Sequence, residues 1–564
     1  MFLAMGIISG CSQTPADRGG SSLASSQFAD LLVVNAKVWT GDSARPEASA
    51  FAVKSGRFIF VGDDAGAKKL RDPHTQVIDA GRDRIIPGLI DSHLHLIGGG
   101  LQLSRIELRD VAGPADFVKA VDEKVRFLRP GEWLLGGRWS TESWTAPANP
   151  TKDWIDPVTP NNPVLLDRMD GHGALANSMA LKIAGIDAKG PPDPPGGKIE
   201  RDSGTGEPTG ILKESAINLV SRHVPPPTFE QQQRALWDAM LSASHCGVTT
   251  VHTMSAWNEL AVIDAFRAKD RPRIRVRFYI SEDDWSEYID RAKQHKDDDW
   301  VRICGFKQFM DGSLGSRTAY MAAPFADNTP DKAEWRGLLG EAMTTEGSLQ
   351  RMCNLVDAAG FTPAIHAIGD QANHLVLDMY EQTQKTNGPR PGRRMRIEHA
   401  QHLLPGDIAR FASLGVVASM QPLHKADDGR YAEKAIGPQR CKTSYAFRSL
   451  LDAGTHVAFG SDWPVVSVNP FLGMHAAVTG TTLDGKTFVP EQNITIEEAL
   501  KAYTVGGAFA AGDEDRLGQI RAGFLADFVI LNEDVLAVAP EDVPKVSAKK
   551  TFINGQHGTR DLSY

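Results

Sequence analysis

Ile85-Ile86-Pro87-Gly88-Leu89-Ile90-Asp91-Ser92-His93-Leu94-His95 reads as a buried strand that ends in two histidines spaced i, i+2. Side chains two apart on a strand project to the same side. His93 and His95 can therefore hold one metal ion together. A single His-x-His also arises as an ordinary polar contact. Here four more candidate ligands follow in order, Lys307, His366, His399 and Asp462, each at the end of a short apolar run. Core packing alone does not explain that repetition.

Outward from this stretch, strands alternate with amphipathic helices, the pattern of parallel βα units. Eight strands are expected, at 88–95, 248–253, 273–280, 301–310, 362–366, 394–399, 416–421 and 456–462. Eight such units make a (β/α)8 barrel. The segment holding His374 places Ala372, Leu375, Val376, Met379 and Tyr380 on one helical face. Gly247, Gly360, Gly415 and Gly454 each close a helical pattern just before a strand, as helix C-terminal glycines do. The barrel is expected over 88–510, with a long insertion at about 102–222 that carries Pro-rich turns and a hairpin from Gly197 to Gly210.

On either side the character changes to short strands and turns. Segments 31–40, 50–53 and 58–62 read as strands, with Lys54-Ser55-Gly56-Arg57 as a hairpin turn, and 526–531 and 548–555 repeat the pattern. Neither end is large enough to hold its own core. The expectation is one small β-sandwich built from 28–87 and 511–564.

The chain has 564 residues, ordinary globular composition and a net charge of −9, which suits an elaborated barrel with a satellite domain. No Lys/Arg block points to nucleic acid, and no run approaches the roughly 20 apolar residues of a membrane span. The cysteines, Cys11, Cys246, Cys304, Cys353 and Cys441, lack Cys-x-x-Cys spacing, which argues against a zinc ribbon or disulfide framework. The last four read as small buried residues. Within 1–27, Met1 to Ile8 is apolar, Ile8-Ser9-Gly10-Cys11 resembles the lipobox of bacterial lipoproteins, and the Ser/Gly/Pro-rich stretch that follows to Ser26 suits a flexible tether. It implies a lipid anchor at Cys11 on the periplasmic face of a bacterial membrane. No basic segment precedes the short apolar one, so that reading requires a start further upstream; as a chance match it leaves the chain cytoplasmic. A homodimer is compatible with the sequence and not required by it.

In a barrel of this kind the functional groups come from the C-terminal ends of the strands. His93 and His95 close the first strand, Lys307 lies on the fourth, His366 and His399 end the fifth and sixth, and Asp462 ends the eighth. Any one of these histidines alone is more often a satisfied polar residue at a strand end. For all six residues together, convergence on one mouth is the stronger reading.

The motifs Pro87 to His95, Lys307-Gln308-Phe309-Met310-Asp311-Gly312-Ser313-Leu314-Gly315-Ser316, Ile365-His366-Ala367-Ile368-Gly369-Asp370, Arg396-Ile397-Glu398-His399 and Gly460-Ser461-Asp462-Trp463-Pro464 resemble those of the amidohydrolase superfamily. Within it they resemble amidohydrolase family 3, the branch that includes N-substituted formamide deformylases. The resemblance spans about residues 30–555. It implies hydrolysis of a small molecule at a non-peptide C–N bond, with a divalent metal centre at the matched positions.

Neutral imidazoles and a carboxylate suit zinc first among borderline cations, as one or two ions with a position open for water. Asp462 can contact metal and also accept the proton of the attacking water, while the ion lowers the pKa of bound water toward about 7 and polarises the scissile carbonyl. Lys307 as an ammonium cannot be a ligand. The resemblance implies a carboxylated Lys307 whose carbamate bridges two ions; the alternative is a salt bridge to Asp311 or Asp462 beside a single ion. Substrate contacts are sought at His172 and Trp139 in the insertion and at His424 after the seventh strand. The resemblance implies, in many relatives, an acidic residue after the tryptophan that matches Trp139; this chain has Ser140 there, which speaks against that contact. His245, His252 and His456 read as structural. Fold and metal do not fix the bond cleaved. Ester, lactone or phosphotriester hydrolysis on the same centre is the enzymatic alternative, and a non-catalytic solute-binding lipoprotein the other, against which the aspartate beside the ligands speaks.

Overall fold

The computed structural model describes residues 28–108, 111–139, 144, 149–168, 173–194, 197–269, 273–315, 317–330, 333–340 and 348–557. Eight parallel strands form one sheet in chain order: β1 (Leu89–Leu94), β2 (Val248–Ser255), β3 (Arg275–Ile280), β4 (Val301–Phe309), β5 (Thr362–Ala367), β6 (Arg396–His399), β7 (Val417–Met420) and β8 (Val457–Phe459). The last strand returns to the first through backbone hydrogen bonds from Asp462 N to His93 O (2.6 Å) and from His95 N to Trp463 O (2.8 Å). Asp91 reinforces the seam by accepting from the Ser461 amide and hydroxyl. The expected (β/α)8 barrel is present, with every strand at its expected place.

The helices pack outside. Helix Asp370–Asn387 buries Ala372, Val376, Met379 and Tyr380, the face its periodicity marks out. Gly415 ends helix Ile408–Leu414 in a left-handed conformation (φ 64°), which only glycine adopts without strain. Along β6 the alternation splits the chain: Arg396 and Glu398 bond within the polar interior, while Ile397 joins the apolar core.

The two ends of the chain meet in a sandwich. One sheet is N-terminal throughout, in the order Arg57–Gly62, Ala50–Lys54, Leu31–Val34, Gln76–Asp79; the other joins both ends of the chain, in the order Gln556–His557, Ala548–Ile553, Phe528–Leu531, Arg84–Pro87, Lys37–Trp39, Glu47–Ala48. Segment 31–40, expected as one strand, is two. Asn35 breaks it with φ 53°, a left-handed conformation asparagine tolerates, and sends the halves into different sheets. Ser55 and Gly56 both have positive φ, the geometry of a tight hairpin turn. Between the sheets lie Phe51, Phe58, Phe528 and Phe552. Buried Arg275 of β3 fastens the barrel to this unit through Asp527 (2.7 and 2.8 Å) and Asn554 (2.6 Å).

The insertion is more than a run of turns. It has its own six-stranded sheet, ordered Gly197–Arg201, Pro208–Glu214, Gly173–Ala176, Val164–Arg168, Leu134–Trp139, Ile106–Glu107. Each face carries a core, one with Phe117, Val121 and Trp139, the other with Leu165, Leu181 and Leu212. The expected hairpin is its Gly197–Arg201/Pro208–Glu214 pair. Of the cysteines described, Cys353 and Cys441 are buried, whereas Cys246 and Cys304 are partly exposed, and all four are free thiols. Cys11 lies outside the described residues.

Candidate metal centre

The ends of the barrel strands bring the expected residues to one place. His93 is the fifth residue of β1 and His95 follows the strand directly. Asp462 takes a left-handed conformation (φ 58°) just after β8, and His399 does the same (φ 76°) at the end of β6. These strained positions turn the side chains toward the mouth. Asp462 Oδ1 lies 3.2 Å from His95 Nε2 and 3.5 Å from His93 Nε2. Its other oxygen faces His424 Nε2 at 3.9 Å. Two groups able to hold a cation thus share one aspartate: His93, His95 and Asp462, and His399, His424 and Asp462. His366 adjoins them, its ring 4.4 Å from that of His399.

What each ring does with its other nitrogen decides which atom is left for a ligand. His93 Nδ1 bonds Glu398 Oε2 (2.6 Å), His95 Nδ1 bonds Met254 O (2.8 Å) and His399 Nδ1 bonds Gln421 Oε1 (2.7 Å). In all three the oxygen can only accept, so Nδ1 carries the proton and Nε2 keeps its lone pair. His366 is reversed: Nε2 donates to Gly312 O (3.0 Å), which leaves Nδ1. His93 Nε2 is fully buried without a partner. An orphaned imidazole lone pair among other such nitrogens and a carboxylate is the donor set borderline divalent cations take.

A buried polar network supports these rings. Arg396 donates to Glu398 (2.8 and 3.1 Å), to His252 Nδ1 (2.9 Å) and to Tyr279 Oη (2.8 Å). Burial alone would raise the Glu398 carboxyl, but the Arg396 guanidinium and the His93 contact hold it well below the usual range. Such oxygens behind a ligating imidazole orient the ring and raise its basicity. Burial also works against ionisation of Asp462, yet the contact with His95 and the other neighbouring imidazoles hold its pKa far down. The His366 imidazole is pushed down to about 3 by burial and by Lys307. It is neutral, as a ligand must be.

Lys307 is buried on β4, with Nζ 3.9 Å from the centre of the Phe309 ring. Burial pushes its amine down to about 8, against the pull of Glu398 and Asp462. The alternative of an ion pair to Asp311 or Asp462 does not describe it: among the described residues neither pairs with Lys307 within 4 Å. Asp311 instead accepts from the amides of Ile368, Gly369 and Tyr320, tying the loop after β4 to the end of β5.

Trp139 requires correction. It is buried in the insertion's own core, packs edge-on against Phe117 and spends its indole N–H on Leu166 O, so it presents no surface to a substrate. His172 and Ser140 lie outside the described residues. His424 does face the site. His252 is structural through Arg396, and His456 stacks on Phe509. Sequence reading overlooked Gln421 and Gln401, and it quoted Glu398 without giving it a part. Glu398 was within reach: it shares a strand face with Arg396 and precedes a ligand. The glutamines carry no comparable signal.

A parallel eight-stranded α/β barrel with imidazoles gathered around a shared aspartate at its mouth defines a class, the metal-dependent hydrolase barrels. The amidohydrolase family profile matches residues 76–557, and the chain belongs to that family. It is 39% identical over 543 residues to Protein LONG AFTER FAR-RED 3 of Arabidopsis thaliana, covering 94% of this chain and 91% of that one. It is 27% identical over 551 residues to the N-substituted formamide deformylase of Arthrobacter pascens, covering 94% and 98%. An uncharacterized metal-dependent hydrolase from Pyrococcus horikoshii OT3 superposes with a TM-score of 0.74 at 26% identity, over 91% of this chain and 99% of that one.

Proposed function

We propose that this protein hydrolyses a non-peptide C–N bond, in an amide, formamide or other N-acyl compound, with Asp462 as the general base. The observation that carries the reading is the position of Asp462: buried, kept ionised, and facing imidazole nitrogens through both oxygens. Pure solute binding needs no such base. The similarity to a formamide deformylase over nearly the whole of both chains supports the C–N bond over an ester.

His93, His95, His366, His399 and Asp462 would hold one or two divalent ions, zinc first. Such an ion supplies a Lewis acid that polarises a carbonyl and lowers the pKa of water toward about 7. Lys307, as a carbamate, would add oxygen ligands to that set. Water adds to the acyl carbon and gives one proton to Asp462. The C–N bond breaks, the departing nitrogen takes that proton, and a carboxylic acid and an amine result. The Glu398–Arg396 pair keeps His93 in its ligating tautomer throughout.

The test is turnover of a panel of N-acyl compounds and matching esters by protein of known metal content. N-acyl hydrolysis that chelation abolishes and metal restores is expected. Asp462→Asn should retain metal but lose about 10²–10⁴-fold in kcat. Ester-only turnover, or full activity without metal, would reject the reading.

A further inference from the structure

His424 lies in the first turn of helix Pro422–Asp428, directly after β7. Its ring stacks parallel to that of His399, centroids 6.1 Å apart and planes 7° off. The two imidazoles look alike, and both fall in a group able to hold a cation. Their hydrogen bonds set them apart. His399 Nδ1 meets an oxygen, Gln421 Oε1, and that amide is oriented by its own Nε2 donating to Ser419 O (3.3 Å). His424 Nδ1 meets a nitrogen, Gln401 Nε2, at 3.3 Å. An amide NH₂ only donates. His424 Nδ1 must therefore accept, and the ring's proton sits on Nε2.

Around the mouth the pattern is consistent. His93, His95, His366 and His399 each give one N–H to an oxygen and keep a lone pair for the site. His424 does the reverse. Its Nε2 is buried, has no hydrogen-bond partner, and lies 3.9 Å from Asp462 Oδ2, beyond bonding distance. The reversed Gln401 amide would leave an unpaired buried amine in place of an unpaired carbonyl oxygen, and buried donors are the rarer orphans.

We propose that His424 is a catalytic hydrogen-bond donor, not a ligand: its Nε2–H binds the carbonyl oxygen of the N-acyl substrate, and Gln401 is the positioning residue that fixes this tautomer. This rests on the N-acyl reading above. As water adds to the acyl carbon beside Asp462, negative charge gathers on the carbonyl oxygen, and a donor already aimed there stabilises it without reorganising. His424 keeps its proton throughout. The proton that reaches the leaving nitrogen comes from water by way of Asp462.

Three measurements test this. In metal-free protein labelled with ¹⁵N at histidine, and assigned by difference from His424→Asn, the His424 signals should show protonated Nε2 and unprotonated Nδ1. His424→Ala should lose about 10²–10³-fold in kcat, as removal of one oxyanion donor does, with unchanged metal content by mass spectrometry. Gln401→Glu places a carboxylate against Nδ1 and should move the proton there, lowering kcat more than it raises KM. An unprotonated Nε2 in the wild-type spectrum, a metal equivalent lost in His424→Ala, or kcat retained within threefold in that variant would each overturn the proposal. Wild-type protein that hydrolyses only esters would reject the N-acyl reading and the substrate named here. The ¹⁵N spectrum and the metal content would still judge the donor itself.

Discussion

Lys307 shows how far one residue's chemistry depends on its surroundings. On an exposed strand it would be an ordinary ammonium. Here burial pushes its amine down to about 8, so a neutral fraction exists near neutrality, and neutral amines react with carbon dioxide. Metal reconstitution of apo-protein is therefore expected to be faster and more complete with added bicarbonate. Lys307→Ala should bind less metal and lose activity. Lys307→Arg should not rescue it, because a guanidinium stays charged. Reconstitution indifferent to bicarbonate, with two equivalents bound by Lys307→Ala, would dismiss the carbamate.

At the scale of elements, His295 joins two helices on the outside of the barrel. It follows helix Ile289–Gln294 and reaches Asp264 on helix Trp257–Lys269 at 3.2 Å and Asp297 at 2.7 Å, one through each ring nitrogen. The hydrogen bonds to Asp264 and Asp297 raise its pKa to about 9, above the ordinary value of about 6.5. A folded-state pKa above the unfolded one favours folding of the protonated form. This contribution is full below about pH 6.5 and disappears as pH rises through about 9. The thermal midpoint of the wild type should fall more steeply between about pH 7 and 9.5 than that of His295→Gln. Parallel curves for the two proteins would show that the pair of carboxylates does not couple to folding.

For the whole molecule, the sandwich closes the chain on itself. Phe528, near the C-terminal end, stacks on Phe552 (4.4 Å) and meets Phe51 from the N-terminal sheet edge-on (4.9 Å). Phe528→Ala leaves a cavity where both ends of the chain meet and should cost about 3–5 kcal/mol. It belongs to the sandwich core, which includes none of the barrel-mouth residues, so metal content and KM should hold while the denaturation midpoint drops. An unchanged midpoint would mean that this core does not limit the stability of the chain.

The sequence by itself determined the barrel, the sandwich and most of the mouth. Period-2 and helical alternation are local, and a parallel barrel places successive strand ends on one rim, so the order His93, His95, Lys307, His366, His399, Asp462 already implied a shared site. Tertiary structure alone decided what depends on partners distant in sequence. Asn35 divides one apparent strand because its two halves pair with different sheets. Trp139 is core because the insertion builds a sheet of its own, which its short strands among turns did not announce. The tautomers of His424 and His399 differ through which end of a glutamine amide lies behind each ring, and no residue pattern encodes that. A tautomer is set by the atom at bonding distance, and such atoms become neighbours only when the chain has folded.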